Sequence, residues 1–279
     1  AEARGPLALL RDRAAPGAWE ALVEEPSRRS FAYVLRREAG LFRPEELGEW
    51  FRRLHPRCAG AGPGAWTGAA HRGRDLLRKT AWYVWPPCRC AYDYADTHQE
   101  VVVEPRMVDA IETISRRVAE VCGVADDPPN SLNLNFYPPG GGVGFHSDDE
   151  ALFDGLNQDA TIISLSLAQD DGAGGLGSRW FEVRRKRGVG GGSEAKAVEL
   201  RHGDIMTMEG LFQLHYLHSA WPGDRTDVIE APGRSAFGER VNLTWRWIVR
   251  HSPGCPARAG KETTEAPSRP TPPVLAGNN

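Results

Sequence analysis

Two stretches in the first half of the chain repeat apolar residues at helical spacing. They predict helices over Pro44–Leu54 and Pro105–Cys122. Pro44 suits the first turn of the first helix, and Gly123 is a typical stop for the second. The apolar stripes are Leu47, Trp50, Phe51 and Leu54 in the first stretch, and Val108, Ile111, Ile114, Val118 and Val121 in the second.

Beyond residue 130 the chain changes to short apolar or alternating runs separated by Gly-rich turns. Short strands that follow two supporting helices are typical of a double-stranded β-helix, or jelly roll. We therefore predict an α+β, mainly β fold: a jelly roll with N-terminal supporting helices, in which residues 170–177 and 187–195 are hairpin extensions. The predicted strands are Leu132–Tyr137, Thr161–Leu167, Arg179–Arg185, Ala197–Leu200, Ile205–Met208, Leu211–His218 and Val241–Val249.

The last strand alternates strictly between polar and apolar residues, so its polar side chains share one face. Two arginines, an amide and a hydroxyl on one face need anionic or polar partners if that face is buried. The alternative is an exposed strand with a solvated polar face. The polar residues are Arg240, Asn242, Thr244 and Arg246.

The motif His146-Ser147-Asp148 closes a Gly-rich loop that we interpret as a flexible connection. Residues two apart on an extended segment point to the same side, so His146 and Asp148 can grip one ion. A second His-x-Asp, at His202 and Asp204, lies between two short apolar runs and is interpreted as a structural turn.

Two histidines and one carboxylate are the ligands of non-haem Fe(II) oxygenases. His215 and His218 both qualify as the third ligand, and spacing alone does not choose between them. We favour His218, because it lies where its strand runs into Trp221. A guanidinium pairs well with a carboxylate, so the arginines of the last strand suit a dicarboxylate co-substrate.

Together these segments resemble the AlkB family of Fe(II)/2-oxoglutarate dioxygenases, particularly its nucleic-acid dealkylating branch. The resemblance rests on Asn-x-Tyr at Asn135, His-x-Asp-Asp-Glu at His146, Gly-Asp at Gly203, His-Ser at His218 and Arg-x-Asn-Leu-Thr-x-Arg at Arg240. It runs from about Leu76 to Arg250.

By position, the resemblance implies catalytic and metal-binding roles for His146, Asp148 and His218. It implies a substrate role for the carboxylate of Glu150 and, less specifically, for Arg179. Aromatic residues are concentrated in 79–94, where the family carries its nucleotide-recognition lid, although such clusters are more often core; Trp82 and Tyr94 are the candidates. The implied 2-oxoglutarate contacts are Asn135, Tyr137, Arg240, Asn242, Thr244 and Arg246.

The implied cofactors are Fe(II), 2-oxoglutarate as co-substrate, and O2, and the implied partner is alkylated DNA or RNA. The chemistry would be hydroxylation of an N-methyl group and release of formaldehyde, on a base that is flipped out or single-stranded. Two rivals remain: a dioxygenase acting on a protein side chain or a small molecule, and a non-catalytic jelly-roll binding module.

Net charge gives no support to extensive phosphate binding: it is −3, with a pI of about 6.3. Phosphate contacts would have to be local, at 184–187 or at the basic residues of 72–79. No apolar run or signal segment indicates membrane insertion or secretion, and we expect an intracellular monomer.

The five cysteines form an odd, scattered set, which favours a reduced protein. Cys88 and Cys90 with His98 are a weak zinc candidate, because Cys-x-x-Cys and a second pair are missing. We expect residues 1–29 to be weakly ordered, 30–251 to form the dioxygenase domain and 252–279 to be a disordered Pro-rich tail. Within the domain, residues 30–130 would supply helices and lid, and 131–251 the jelly-roll core.

Overall fold

The computed structural model describes residues 12–58, 65–94, 96–169, 177–188, 195–221 and 238–259. Its helices are α1 (Pro44–Leu54), α2 (Pro105–Cys122), α3 (Phe212–His215) and α4 (Pro256–Ala259), with 3-10 turns at Pro16–Ala18, Pro26–Arg28 and Arg37–Ala39. Its strands are β1 (Trp19–Glu25), β2 (Ser30–Leu35), β3 (Thr67–His71), β4 (Arg74–Val84), β5 (Tyr92–Tyr94), β6 (Thr97–Gln99), β7 (Ser131–Tyr137), β8 (Val143–His146), β9 (Ile162–Ala168), β10 (Arg179–Arg185), β11 (Lys196–Leu200), β12 (Ile205–Gly210), β13 (Tyr216–Trp221) and β14 (Arg240–Arg246).

Most strands belong to two antiparallel sheets. The larger has eight strands in the order β1-β2-β12-β9-β14-β7-β4-β3, and the smaller has four in the order β11-β10-β13-β8. Strands β5 and β6 form a separate ribbon. The predicted mainly β jelly roll with supporting helices is confirmed.

One face of the large sheet is covered by α1 and α2, and its other face packs against the small sheet. Trp50 and Ile114 pack with Leu243 in the helix-covered core, whereas Met206 and Phe181 pack in the core between the sheets. Because side chains alternate along a strand, each central strand contributes to both layers.

The bounds of both long helices agree with their predictions. The Glu104 side chain accepts a hydrogen bond from the Met107 amide at the start of α2, at 2.7 Å. Gly123 ends the helix in the left-handed conformation, with φ of 69°.

The structure differs from several of these predictions. Residues 12–29 are not weakly ordered throughout, because β1 pairs with β2 and buries Trp19 and Val23; a bulge between Ala21 and Val23 interrupts the alternation that would have indicated the strand. The predicted strand Leu211–His218 begins instead as α3.

The Gly-rich connection at residues 140–144 is also more constrained than predicted. A Cβ on Gly142 would lie 2.5 Å from the Ala220 carbonyl oxygen, so only glycine allows this approach to β13. At the other end of the chain, the structure extends through Ala259, with Cys255 buried, whereas 260–279 and the inserts 170–176 and 189–194 lie outside the described residues.

Candidate active site

His146 and His218 are brought together by the pairing of β8 with β13, in which the two residues are direct partners. Both Nε2 atoms lie 3.6 Å from Oδ1 of Asp148. All three ligand atoms lie within 4.8 Å of one another, which is close enough to hold one metal ion. His215 is not part of this group: it ends α3, where its carbonyl accepts from the Lys186 amide.

Neighbouring groups orient these three side chains. The Gly144 carbonyl lies 2.8 Å from Nδ1 of His146 and can only accept, so Nδ1 carries the proton and the Nε2 lone pair faces Asp148. The ring of Phe181 stacks on His218 at 5.5 Å. Gln213 lies on α3, and no sequence motif marks it. Its buried side-chain oxygen accepts a hydrogen bond from the Asp148 amide at 2.9 Å.

Electrostatics favour the protonation states that a metal requires. Burial opposes the charged form of Asp148, but the Arg246 guanidinium outweighs it and holds the pKa of that carboxyl well below its usual range. Burial, reinforced by His146, lowers the pKa of His218 to about 3. At neutral pH the site therefore offers an ionised carboxylate and a neutral imidazole.

Strand β14 is central in the large sheet and entirely buried, which excludes a solvated polar face. Its apolar residues pack in the helix-covered core, and its polar residues line a cavity shared with the His/Asp group. Arg240 donates to the Asn242 side-chain oxygen at 2.6 Å, and Asn242 donates to the Thr244 hydroxyl at 2.8 Å. The polar residues of β14 therefore form a continuous polar wall along the cavity, which we call the polar wall.

Two donors on this wall have no protein partner among the described residues. They are Nε of Arg240 and Nη1 of Arg246, and both are buried. Burial lowers the pKa of Arg240 to about 10, which reflects the cost of a desolvated charge. Unpaired guanidinium donors beside a candidate metal site fit an anionic ligand such as a dicarboxylate.

Asn135 and Tyr137 lie on β7, opposite Asn242 and Arg240 in register, and both line the cavity. The Arg240 guanidinium lies 5.6 Å from the centre of the Tyr137 ring. Asn135 donates to Asn133 at 2.6 Å. Asn133 lines the cavity too, and alternation along β7 would have identified it.

Thr80 and Gln99 complete this side of the cavity. The Thr80 hydroxyl donates to the Gln99 side-chain oxygen at 2.6 Å, and the Asn133 amide donates to the same oxygen at 3.2 Å. No local motif marks either residue, since their strands meet only in the folded chain.

The predicted substrate residues divide into two pairs. Tyr94 lines the cavity, and its ring centre lies 6.0 Å from that of His146 and 5.1 Å from the Arg78 guanidinium. Glu150 lies behind Tyr92, whose hydroxyl donates to it. Burial, with the charge of Asp148, raises the pKa of Glu150 to about 7.

Trp82 and Arg179, also predicted to contact substrate, are not among the residues that line this cavity. Trp82 is 1% exposed, stacks on Tyr92 and donates to the Cys90 carbonyl, so it is core. Arg179 is also 1% exposed and donates to backbone carbonyls of the surrounding loops, including Gly141 at 2.9 Å. Burial lowers its pKa to about 9, and its hydrogen bonds serve loop packing.

Two of the basic residues in 184–187 have structural contacts. Arg185 pairs with Glu25, and Lys186 donates to Ser147 and to the Gln213 carbonyl. The His202 turn is structural as predicted: its Nδ1 accepts from the Ala168 amide at 3.0 Å.

No helix among the residues described is long and apolar enough to cross a membrane.

The sequence profile described as the 2OG-Fe(II) oxygenase superfamily matches residues 35–246. The fold is similar to the solved structure of OsALKBH1, at 17% identity and a TM-score of 0.46, covering 82% of this chain and 100% of that one. It is also similar to a 2OG-Fe(II) oxygenase family oxidoreductase from Burkholderia pseudomallei, at 13% identity and a TM-score of 0.46, covering 79% and 86% respectively. No curated protein sequence matches the chain.

Proposed function

The chain belongs to the 2OG-Fe(II) oxygenase superfamily, and we propose that it is an oxidative demethylase of N-alkylated bases in DNA or RNA. Enzymes of this family use Fe(II), 2-oxoglutarate and O2. The observation that carries the proposal is the convergence of a His/Asp/His group and two arginines with unpaired donors on one cavity.

In this proposal His146, Asp148 and His218 hold the iron. Their donor set is the facial triad of non-haem iron enzymes, which leaves positions open for co-substrate and oxidant. Bound iron, with 2-oxoglutarate and O2, supplies the oxidation of an N-methyl carbon, which is then lost as formaldehyde.

Arg240 is the proposed partner of the distal carboxylate of 2-oxoglutarate. Its Nη2 is fixed by Ser166 at 2.9 Å and by Asn242, while Nε remains available. A guanidinium positioned in advance of binding loses little freedom when the carboxylate arrives. Tyr137, packed on the same guanidinium, and Asn135 complete the proposed co-substrate site together with Thr244 and Arg246.

Support for a nucleobase substrate comes from the aromatic wall beside the metal group. Tyr94 is partly exposed at the cavity and next to His146, where a flipped base would stack. Arg78, packed on the Tyr94 ring, places a positive charge at this wall. Glu150 is proposed to contact the base edge from behind Tyr92.

A second candidate is the same oxidation on a protein side chain or a small molecule. Two observations favour it: the net charge is −3, and two of the four predicted substrate residues, Trp82 and Arg179, are buried and do not line the cavity. A non-catalytic binding module accounts poorly for buried guanidinium donors that have no protein partner in the described chain.

The test is turnover of oligonucleotides containing 1-methyladenine or 3-methylcytosine, with Fe(II), 2-oxoglutarate and ascorbate. We expect stoichiometric formaldehyde, succinate and restored base. Succinate without demethylated base would favour the second candidate, and absence of any turnover by iron-loaded protein would support the binding module.

A further inference from the structure

Four metal-ligating side chains converge at a second place, away from the His/Asp/His group. Cys88 and Cys90 lie in the loop between β4 and β5, and His251 and Cys255 follow β14. Their ligand atoms lie within 4.8 Å of one another. His98, the partner that the sequence suggested, is not among them: it is exposed and contacts Asp93 and Glu100.

The separations agree with the edges of one tetrahedron. Nδ1 of His251 lies 3.5 Å from the Cys88 sulfur, 3.6 Å from the Cys90 sulfur and 3.6 Å from the Cys255 sulfur. The sulfurs of Cys88 and Cys255 are 3.7 Å apart. Tetrahedral zinc, with bonds of about 2.3 Å to sulfur and about 2.0 Å to nitrogen, requires edges of about 3.8 Å and about 3.6 Å.

The surroundings suit thiolates that share a cation. Each of the three sulfurs is within 3.5 Å of a backbone amide that donates to it: Arg89 to Cys255, Cys90 to Cys88, and Ser252 to Cys90. Donors directed at sulfur stabilise its charged form. All three cysteines are free and buried, and a separation of 3.7 Å is far longer than the roughly 2.05 Å of a disulfide.

We propose that Cys88, Cys90, His251 and Cys255 bind one Zn²⁺ ion in a closed, structural site. Three thiolates and one imidazole are the soft donor set that selects zinc, whereas the nitrogen and oxygen donors of the other group suit Fe(II). Four protein ligands fill the tetrahedron and leave no position for a substrate.

The ion would join two segments that are 161 residues apart at their closest ligands, Cys90 and His251. The loop it fixes leads into β5, whose residues Tyr92 and Tyr94 line the active-site cavity. Trp82 stacks on Tyr92 and donates to the Cys90 carbonyl at 2.7 Å. The zinc site is therefore a positioning site for the aromatic wall.

Metal analysis of the purified full chain tests the assignment without using activity. We expect one zinc per chain, retained under mild chelation that removes iron, and lost in Cys255→Ala and His251→Ala. His251→Cys should keep zinc, because four thiolates also form a tetrahedral site. Two controls should keep it as well: Cys58→Ala, at an exposed cysteine outside the cluster, and His146→Ala, at the other metal group.

X-ray absorption at the zinc edge of the unaltered protein covers the case in which the variants misfold. We expect a shell of three sulfurs and one nitrogen. A shell of nitrogen and oxygen only, zinc content unchanged in a folded Cys255→Ala, or a Cys88–Cys255 disulfide found by mass spectrometry would overturn the proposal.

Discussion

Arg246 donates from both Nε and Nη2 to one oxygen of Asp148, Oδ2, with the Nε contact at 2.9 Å. The other oxygen, Oδ1, faces His146 and His218. Both residues are buried, so the ion pair is little screened by water. Arg246 thereby fixes which carboxylate oxygen is available to a metal, and it comes from the same strand that supplies the polar wall.

Substituting Arg246→Lys should weaken metal binding by about 10- to 100-fold, the usual effect of removing a partner that orients a ligand. A lysine keeps the charge but cannot make the paired contact to Oδ2. Titration with Co²⁺ would measure the affinity. Arg250→Lys is the matched control, because Arg250 is exposed and pairs with Asp154; equal affinities in both variants would contradict the role of Arg246.

Co²⁺ titration, together with turnover, can also decide which of the two histidines near β13 is the third ligand. His218→Ala, like His146→Ala and Asp148→Ala, should abolish turnover and tight metal binding, because each removes a proposed ligand. His215→Ala should retain a measurable fraction of both, since His215 ends α3 outside the group. Loss at His215 with survival at His218 would reverse the assignment.

Arg240→Met should raise the KM for 2-oxoglutarate by about 30-fold or more, because removing one partner of a buried charge pair costs about 2–5 kcal/mol. The thermal stability of the protein without 2-oxoglutarate should hardly fall, since the charge it loses is desolvated and Nε has no partner in the described chain. Succinate formation and Tm, each with and without 2-oxoglutarate, measure the two effects. If 2-oxoglutarate raised the Tm of the variant as much as that of the parent, Arg240 would not be part of the co-substrate site.

Tyr94→Ala should raise the KM for a methylated oligonucleotide by about 5- to 150-fold, because base stacking on an aromatic residue contributes about 1–3 kcal/mol. Tyr94→Phe keeps the ring and should remain close to the unaltered protein. Formaldehyde release against oligonucleotide concentration gives both values. Similar losses in the two variants would mean that the hydroxyl, rather than stacking, is what matters.

We expect the stability of the folded protein to depend on pH through Glu209, which lies outside the candidate active site. It is fully buried on β12; burial raises its pKa from 4.5 to about 7, despite opposing contributions from Thr207 and Arg13. Between pH 4.5 and 7 the folded state therefore keeps a proton on Glu209 that the unfolded state loses. The contribution of Glu209 to the free energy of unfolding is complete below pH 4.5 and declines as the pH rises through 7. The slope is at most about 1.4 kcal/mol per pH unit.

Glu209→Gln should remove this decline, because the amide stays neutral. Chemical denaturation at pH 5, 6, 7 and 8 would measure the free energy of unfolding of both proteins. The stability of the variant relative to the parent should increase with pH, and a constant difference would show that Glu209 ionises normally in the folded chain.

Local patterns in the sequence were enough for several parts of this protein. The ends of α1 and α2 follow from Pro44 and Gly123, and the two faces of β14 follow from its alternation. His146 and Asp148 are two residues apart, so their common direction is also a local property. These predictions succeed because backbone geometry alone sets the periodicity of a helix or a strand.

Tertiary structure decided the rest. Trp82 and Arg179 are residue types that often contact substrate. In the folded chain both are buried and donate hydrogen bonds to backbone carbonyls. The choice of His218 over His215 depends on the one helical turn of α3, and the replacement of His98 by His251 beside Cys88 depends on a distant segment.

Each of these outcomes depends on contacts between residues far apart in the chain, which leave no periodic signal along it. The sequence by itself therefore determined which chemical groups are present and the face of its own strand or helix on which each side chain lies. Packing of the two sheets decided which of those side chains meet, because burial and hydrogen bonding are optimised over the whole chain.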